Sequence, residues 1–343
     1  MQVQSNTNHP ENYAKYTDAL FTMYDVLLRP VERHISGKKL IIIPDEETAY
    51  LPFDAFISSR PGEGQTSYEE LEYLLNTYTI AYGYSSSMTF MKDKDKLGGH
   101  GVNAFSPDYS NSFADFGKAI NPLQGTTKEI NAIFKYFKGK EYSGEEATED
   151  NFKKSLQEPA IMHLAMHAVS DSLNSRYSYL VFDPKSDIYE DGNLYDYEMC
   201  LSRIQSPLVV LSACNTGTGT LNHGEGVMSI SRAFILGGVR SVLKTLWDIN
   251  DDASAVIISG FYFYLSKGMD KGEALRLAKL DYLKKSPPVY TNPYYWAAYQ
   301  LIGDKSPVTE NRKIRFYLVT IIVLVAVGCI IYLSFRRIFF EWS

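Results

Sequence analysis

Hydrophobic residues follow two patterns along this chain. One is typical of helices and the other of strands. In residues 11–35, apolar side chains recur every three or four positions. This spacing predicts an amphipathic helix, which Pro30 bends or ends early. Apolar runs of strand length follow, separated by turn-forming residues. The predicted strands are 40–43, a short stretch reaching Leu51, 77–85, 101–107, 159–168, 177–183, 206–214 and 239–247.

Helical patterns lie between several of these strands. Thr126 and Glu129 have the spacing of a capping box and predict the start of one helix, and a second is predicted to begin near Thr148. A buried helix is predicted to end at Gly237 and Gly238. Further helices are predicted from about Asp251, Asp270 and Pro293. Strands that alternate with helices and are apolar almost throughout predict an α/β fold, with a mainly parallel sheet covered on both faces.

Composition changes along the chain suggest its domain organisation. Residues 1–305 predict one α/β domain, or two fused halves with a seam near the polar loop 106–125. A short charged linker, 306–315, follows. Residues 316–335 are then apolar and uncharged, and a tail of eight residues, 336–343, ends the sequence.

The apolar segment 316–335 predicts a single transmembrane helix. Its 20 residues would extend about 30 Å as a helix, which matches the hydrocarbon core of a bilayer. Basic residues are more numerous before the segment than after it, which predicts that the preceding domain lies in the cytoplasm. They are Lys305, Arg312, Lys313 and Arg315 before it, and Arg336 and Arg337 after it. The layout is typical of a tail-anchored, single-pass membrane protein.

Charge and cysteine content exclude several classes of function. The net charge of -6 argues against a nucleic-acid partner. The three cysteines are widely spaced and form no CxxC pair, which argues against a zinc knuckle, a thioredoxin motif and a disulfide framework. Such a chain is typical of a reducing compartment. Cys200 and Cys329 are interpreted as structural.

The third cysteine, Cys214, ends a predicted strand in the stretch VVLSACNTGTG. Active sites of parallel α/β sheets form beyond the carboxyl ends of the strands, and the small residues after Cys214 offer backbone N–H groups that could hold an oxyanion. The alternative is a buried, inert thiol, which is common for free cysteine. A reactive thiol needs a base, so the histidines decide between these two interpretations.

Two histidines, His163 and His167, lie on another predicted strand. On one continuous strand they would share a face, and only His167 would lie near the carboxyl end, which makes it the better candidate base. His163 is interpreted as a core histidine. A zinc pair is disfavoured because Leu164 occupies the position of the glutamate in HExxH. His167 precedes Cys214 by 47 residues, an order and spacing found in caspases, although the caspase signature around the cysteine is absent.

Four motifs in order resemble the CHAT family over roughly residues 15–305. They are IIIPDEETAYLPFDAF, IMHLAMHA, LVVLSACNTGTG and GEGVMSISRAFILGGVRSVLKTLWDINDD. That family consists of caspase-like cysteine peptidase domains, often found with tetratricopeptide repeats and distantly similar to separases. The resemblance implies a caspase-like α/β/α sandwich. No such repeats precede the motifs here, which suggests a separate regulatory protein partner or a chain that works without one.

The resemblance also implies roles for particular residues. His167 would be the general base and acid, and Cys214 the nucleophile. The oxyanion would be held by the backbone N–H groups of Cys214 and Ala168. Ala168 stands where the family has glycine, and Met166 where it has threonine. Alanine keeps the N–H, but a positive φ at this position would strain the backbone.

Four more residues are candidates for a substrate pocket: Asp183, Asp191, Asn215 and Glu225. For Asp183 and Asp191, the alternative is that they are solvated loop acids. No metal or organic cofactor is expected, and the glycine-rich run before Glu225 lacks the GK[ST] of a phosphate-binding loop.

The sequence therefore predicts a membrane-tethered cysteine endopeptidase that acts on a protein or peptide substrate. The main alternative is a catalytically silent caspase-like scaffold that binds protein partners at the membrane. A purely structural membrane anchor is a third interpretation, and it leaves the paired histidine and cysteine unexplained.

Overall fold

A computed structural model describes most of the chain up to Val308. The described residues are 10–90, 101–109, 125–183, 189–212 and 223–308, without positions 36, 38, 170, 172 and 173. They belong to one compact unit that ends at Val308. Residues 309–343, most of the loop 106–125 and residues 213–222, which include Cys214, lie outside them.

An eight-stranded sheet forms the centre of this unit, in the order β1-β2-β11-β10-β9-β5-β3-β4. Its strands are β1 Lys39–Ile42, β2 Thr79–Tyr82, β3 Gly101–Ser106, β4 Lys138–Ser143, β5 Ile161–Ala165, β9 Val209–Ser212, β10 Ser241–Thr245 and β11 Tyr299–Gly303. Neighbouring strands are parallel except β10 and β11. The predicted α/β fold with a mainly parallel sheet is confirmed.

A second, antiparallel sheet has the order β6-β7-β8. Its strands are β6 Ala168–Val169, β7 Tyr179–Val181 and β8 Asn193–Tyr195. Strand β6 begins three residues after the end of β5. This small sheet therefore carries the chain directly away from the carboxyl edge of the central sheet.

The helices are α1 Pro10–Leu27, α2 Leu74–Thr77, α3 Ser86–Phe90, α4 Thr126–Phe134, α5 Glu149–Ser155, α6 Asp196–Leu201, α7 His223–Leu236, α8 Asp251–Ser266 and α9 Lys271–Lys285. As predicted, α1 ends before Pro30, where a 3-10 helix Arg29–His34 follows. Thr148 caps α5, since its side chain accepts a hydrogen bond from the N–H of Asn151.

Two hydrophobic clusters cover the two faces of the central sheet. Along β10, Val242 belongs to one cluster and the next residue, Leu243, to the other, as strand alternation requires. Helices α8 and α9 bury their apolar residues in the cluster of Leu243, and α6 and α7 bury theirs in the cluster of Val242. The architecture is an α/β/α sandwich.

Two predicted elements are wrong. The stretch reaching Leu51 is a 3-10 helix, Glu46–Tyr50, because Asp45 forms a capping box with Thr48 and bends the chain into a turn. The helix expected from Pro293 is a single 3-10 turn, Pro293–Tyr295, and the chain then enters β11. The polar strand β4 and the antiparallel strand β11 were not predicted.

The capping box of Thr126 and Glu129 is also wrong. The N-cap of α4 is Gly125, with no side-chain cap. Glu129 is buried inside the protein, with 4% of its surface exposed. Its carboxylate accepts hydrogen bonds from Ser212 and Ser254 rather than from the start of its own helix.

The predicted transmembrane segment, 316–335, lies outside the described residues. Within the part of the chain that the structure describes, no helix combines the length and apolar character needed to cross a bilayer. The segment and the seam near 106–125 remain predictions.

Candidate active site

The carboxyl ends of β5 and β9 are neighbours in the central sheet. The two strands are parallel, and their register pairs Ala165 with Ser212, the last residue of each. His167 lies two residues beyond Ala165. Cys214 lies two residues beyond Ser212 and is outside the described residues. The two predicted catalytic residues thus follow neighbouring strands at equal offsets, on the edge where sites form in parallel sheets.

His167 is held in place by Tyr109. Its side chain packs against the Tyr109 ring, with a distance of 4.7 Å between ring centroids, and only 7% of the residue is exposed. The hydroxyl of Tyr109 accepts a hydrogen bond from the backbone N–H of His167 at 3.1 Å and donates one to the carbonyl of Val181 at 2.6 Å. The backbone before β6 and the end of β7 are therefore joined through one phenol group.

The backbone N–H of Ala168 points away from β7. The N–H of Val181 donates to the carbonyl of His167 at 2.9 Å, and Ala168 pairs with Leu180 in the next position of the ladder. Hydrogen-bonded and non-hydrogen-bonded pairs alternate in an antiparallel ladder, so Ala168 occupies a non-hydrogen-bonded position. Its N–H is directed away from β7, toward the side on which the described residues add no further strand to the small sheet, as the role of oxyanion donor requires.

Alanine causes no left-handed strain at position 168. Among the described residues other than glycine, only Glu46 has a positive φ. The glycine that the resembling family has at this position is therefore not required by the backbone conformation found here.

His163 lies in the core, as interpreted from the sequence, but on another side of the fold from His167. It is fully buried, and its Nδ1 lies 3.3 Å from the hydroxyl of Tyr262. Its Nε2 lies 3.5 Å from a carboxylate oxygen of Glu129, too far for a good hydrogen bond. The two histidines do not share a face, because β5 ends at Ala165 and the chain turns before His167.

The buried carboxylate of Glu129 ties the end of β9 to two helices. It accepts hydrogen bonds from the hydroxyl of Ser212, at the end of β9, and from that of Ser254 in α8. Ser254 also contacts the hydroxyl of Tyr299 at 2.7 Å. Sequence analysis missed this role. The available signal was an acid beside Ile130 and Ile133 on the apolar side of α4, where all three are buried.

The candidate pocket residues lie in different environments. Asp183 follows β7, is buried, and donates its backbone N–H to the carbonyl of Ala147 at 3.0 Å. Burial raises the pKa of Tyr109, and the negative charge of Asp183 raises it further, so the phenol remains protonated. Asp191 is exposed, and its carboxylate accepts the N–H of Asn193 at 2.8 Å, as in a turn.

The other two candidates are not described in full. Asn215 lies outside the described residues. Glu225 lies in the first turn of α7, and its side chain is outside the description. Their roles in a pocket remain predictions.

Three carboxylates converge beside the small sheet, around the ammonium group of Lys153. Its Nζ lies 2.8 Å from Glu149, 2.9 Å from Glu190 and 3.1 Å from Glu198. Burial raises the pKa of Glu149 to about 7, with the neighbouring carboxylates adding to the effect and Lys153 opposing it. A cation of the protein itself therefore occupies the centre of this acidic cluster.

Cys200 is a poor candidate nucleophile. Its thiol is half-buried and lies 3.5 Å from a carboxylate oxygen of Asp196. Burial, together with the charge of Asp196, raises its pKa to about 11. The reactive thiolate form is therefore scarce at neutral pH, which agrees with a structural role.

Comparison with known proteins identifies a family match and remote relatives. The family model of the CHAT domain matches residues 17–304. Tetratricopeptide repeat protein 28 of Mus musculus is 30% identical over 106 residues, which cover 30% of this chain and 4% of that protein. The same protein of Homo sapiens is 23% identical over 343 residues, which cover 83% of this chain and 13% of that protein. Aligned segments therefore span a small part of these relatives.

Solved structures that this chain resembles include a cysteine proteinase and a separase–securin complex. The Arg-specific cysteine proteinase gingipain R has a TM-score of 0.48 and 11% identity, with 86% of this chain and 68% of that chain covered. Separase in the Saccharomyces cerevisiae separase–securin complex has a TM-score of 0.46 and 14% identity, with 77% and 15% covered. Structural similarity at these TM-scores supports no conclusion about activity.

Proposed function

Because this chain belongs to the CHAT domain family, we propose that it is a cysteine endopeptidase in which His167 and Cys214 act together on a protein substrate. The register of β5 and β9 supports this proposal most directly. Ala165 and Ser212 are paired, and parallel strands are about 4.8 Å apart. Two further residues extend a chain by at most about 7 Å. The imidazole and the thiol would therefore be within reach of each other.

The proposed reaction uses the chain's own groups. His167 removes the proton of the Cys214 thiol, and the thiolate attacks the carbonyl carbon of a peptide bond. Backbone N–H groups of Ala168 and Cys214 stabilise the oxyanion. The protonated imidazole then donates its proton to the leaving amine, and water hydrolyses the thioester that remains.

The contacts of His167 support a base with a preset orientation. Its ring rests on Tyr109, and its backbone is bonded to the Tyr109 hydroxyl and to the N–H of Val181. A base that is already oriented loses little freedom when the substrate binds, which favours proton transfer. The N–H of Ala168, which points away from β7, likewise has a fixed orientation before an oxyanion forms.

The proposal includes a membrane tether. Residues 316–335 would cross the bilayer and hold the peptidase domain on the cytoplasmic side through the linker 306–315. A separate protein could regulate the enzyme at the membrane. Proteins in the membrane would then be natural substrates, because tethering raises their effective concentration near the site.

A thiol-reactive peptide probe tests the proposal on the full chain in isolated membranes. A peptidyl chloromethyl ketone should alkylate Cys214 at least about tenfold faster than Cys200, because only Cys214 has a partner base. His167→Ala should remove the difference. His34→Ala, which changes an exposed histidine in the 3-10 helix after α1, is the matched control and should leave it unchanged.

Two results would contradict parts of this proposal. Equal alkylation of Cys214 in the wild-type chain and in His167→Ala would exclude an activated dyad. Recovery of the labelled chain only in the supernatant after centrifugation would exclude the tether.

The burial of His167 favours one alternative, a silent scaffold that binds proteins at the membrane. With 7% exposure, the imidazole is covered in the described part of the chain. A scaffold would show slow, equal alkylation of Cys214 and Cys200, and it would retain protein binding when His167 is changed to alanine.

A further inference from the structure

One face of the small sheet extends from His167, which is buried against Tyr109, to a cluster of tyrosines. Side chains two residues apart on a strand share a face, so His167 and Val169 lie on one side of β6. The ladder pairs Val169 with Tyr179, and Tyr179 with Tyr195. Between the pair positions of His167 and Val169, one residue from each strand points to the other side of the sheet, into the hydrophobic core. These residues are Ala168, Leu180 and Leu194. One continuous face therefore extends from the candidate base to these tyrosines.

Four tyrosines, Tyr177, Tyr179, Tyr195 and Tyr197, form what we call the tyrosine platform. The rings of Tyr195 and Tyr197 are stacked, with centroids 5.3 Å apart and an angle of 14° between planes. Tyr179 packs against Tyr195 at 5.1 Å, and Tyr177 meets Tyr197 edge-on at 6.4 Å. Tyr177 is 53% exposed and Tyr197 41%. Large aromatic rings are thus held by one another while remaining accessible.

Negative charge surrounds the tyrosine platform. Glu198 accepts the backbone N–H of Tyr195 at 3.0 Å, and exposed Asp191 precedes β8. Burial raises the pKa of the Tyr197 phenol, and the charges of Glu198 and Asp191 raise it further, which places both carboxylates within electrostatic range.

The cations of this region do not cancel that charge. Lys153 is shared among three carboxylates, Glu149, Glu190 and Glu198, so an excess of negative charge remains there. Exposed Arg232 and Arg176 add two positive charges at the side of Cys200, whose pKa both lower, and these are fewer than the carboxylates of the region. A side chain that lies on the tyrosine platform therefore meets aromatic faces and net negative charge.

We propose that the tyrosine platform is a subsite for an arginine or lysine side chain of the substrate, about two to four residues from the bond that is cut. The inference rests on the proposed peptidase function. Tyr179 and Tyr195 lie about 6.8 Å further along the strand direction than His167, and one and two strands, each about 4.8 Å wide, to its side. Their Cα atoms therefore lie roughly 8 and 12 Å from that of His167, the span of about two to four residues of an extended peptide. A cation over the face of tyrosine is attracted by the ring, and nearby carboxylates add to this attraction.

Peptide binding tests the subsite without depending on cleavage. The full chain carrying Cys214→Ala, in detergent micelles, is titrated with fluorescein-labelled octapeptides in which one position is arginine, norleucine or glutamate. Fluorescence polarisation should show about tenfold tighter binding of the arginine peptides than of the norleucine peptides. Glutamate peptides should bind most weakly.

Matched variants distinguish the contribution of the tyrosine platform to arginine preference from general effects of substitution on peptide binding. Tyr197→Leu and Tyr195→Leu should remove the preference for arginine, while Tyr197→Phe should retain it because the ring remains. Tyr290→Leu, at a tyrosine exposed to a similar degree in another part of the chain, is the control and should also retain it. Asp191→Asn, which keeps the side-chain shape, should weaken the preference. Unchanged thermal unfolding would show that each variant is folded.

Two outcomes would overturn the inference: equal binding of arginine and norleucine peptides, or an arginine preference that survives in folded Tyr195→Leu and Tyr197→Leu. Cleavage of the same peptides by the chain with Cys214 intact tests the peptidase proposal separately. Arginine-selective binding without cleavage would contradict the peptidase and leave a site that binds basic peptides.

Discussion

Tyr109 shows how a single residue positions the candidate site. Its hydroxyl satisfies the N–H of His167 and the carbonyl of Val181, two backbone groups that would otherwise be bonded to each other in the ladder of the small sheet. The ring simultaneously packs on the imidazole. The Tyr109 phenol therefore fixes both the backbone position and the ring orientation of His167.

We predict that Tyr109→Phe lowers the free energy of unfolding by roughly 1–3 kcal/mol, because two buried backbone groups lose a hydrogen-bond partner. Urea unfolding of the full chain measures the change. Tyr136→Phe is the control, since that tyrosine is 39% exposed and should tolerate the change within about 0.5 kcal/mol. Equal stability of the Tyr109 variant and the wild type would show that the bridge contributes nothing.

At this scale, sequence analysis could propose His167 and Cys214 as catalytic candidates but could not predict the residues around His167. Both candidates lie in short motifs at the ends of apolar runs, which is a local pattern. Tyr109 is 58 residues from His167 and lies in the stretch 106–125, which the sequence predicts to be a polar loop. Its role depends on a contact between distant segments, which a local pattern does not record.

Among the elements, the turn between α7 and β10 was predicted from its two glycines. Gly238 has a φ of 107°, in the left-handed region that only glycine adopts without strain. A Cβ at this position would lie 3.1 Å from the carbonyl oxygen of Ile204. The turn therefore needs glycine for its backbone conformation and for its close packing.

We expect Gly238→Ala to destabilise the protein by about 1–2 kcal/mol through left-handed strain. The midpoint of urea unfolding should fall accordingly. Gly62→Ala is the matched control, because a Cβ there meets nothing within 4 Å and its φ is not positive. If both variants unfold at the same urea concentration, the strain argument is wrong.

In the central sheet, the strands with the strongest apolar patterns were predicted, and β4 and β11 were missed. Strand β4 lies at the edge of the sheet, and its residues are exposed except Tyr142, so its sequence KGKEYS has little hydrophobic signal. Strand β11 follows a 3-10 turn and pairs antiparallel with β10. For both, the neighbouring strand supplies the partners that make an extended conformation stable.

For the whole molecule, the buried carboxylate of Glu149 makes stability depend on pH. Its pKa is raised to about 7 in the folded protein, mainly by burial, from an ordinary value of 4.5. Between these values the folded state keeps a proton that the unfolded state releases. The free energy of unfolding should therefore fall as the pH rises from about 4.5 to 7.

We predict that Glu149→Gln removes up to about 3 kcal/mol of this decrease, since one unit of pKa shift corresponds to about 1.4 kcal/mol. Urea unfolding at pH 5 and pH 7.5 compares the variant with the wild type. Exposed Glu145→Gln should leave the pH dependence unchanged. Parallel stability profiles for wild type and Glu149→Gln would contradict a raised pKa.

The sequence by itself determined the alternation of helices and strands, the family and the two candidate catalytic residues. These depend on hydrophobic period, turn-forming residues and short motifs, which are local properties of a chain. Only the tertiary structure decided that Ala165 and Ser212 are paired, that Tyr109 supports His167, and that Glu129 lies beside His163. The tyrosine platform on the face of His167 likewise follows from strand register. Register and packing join residues far apart in the chain, so their contacts exist only in the folded protein.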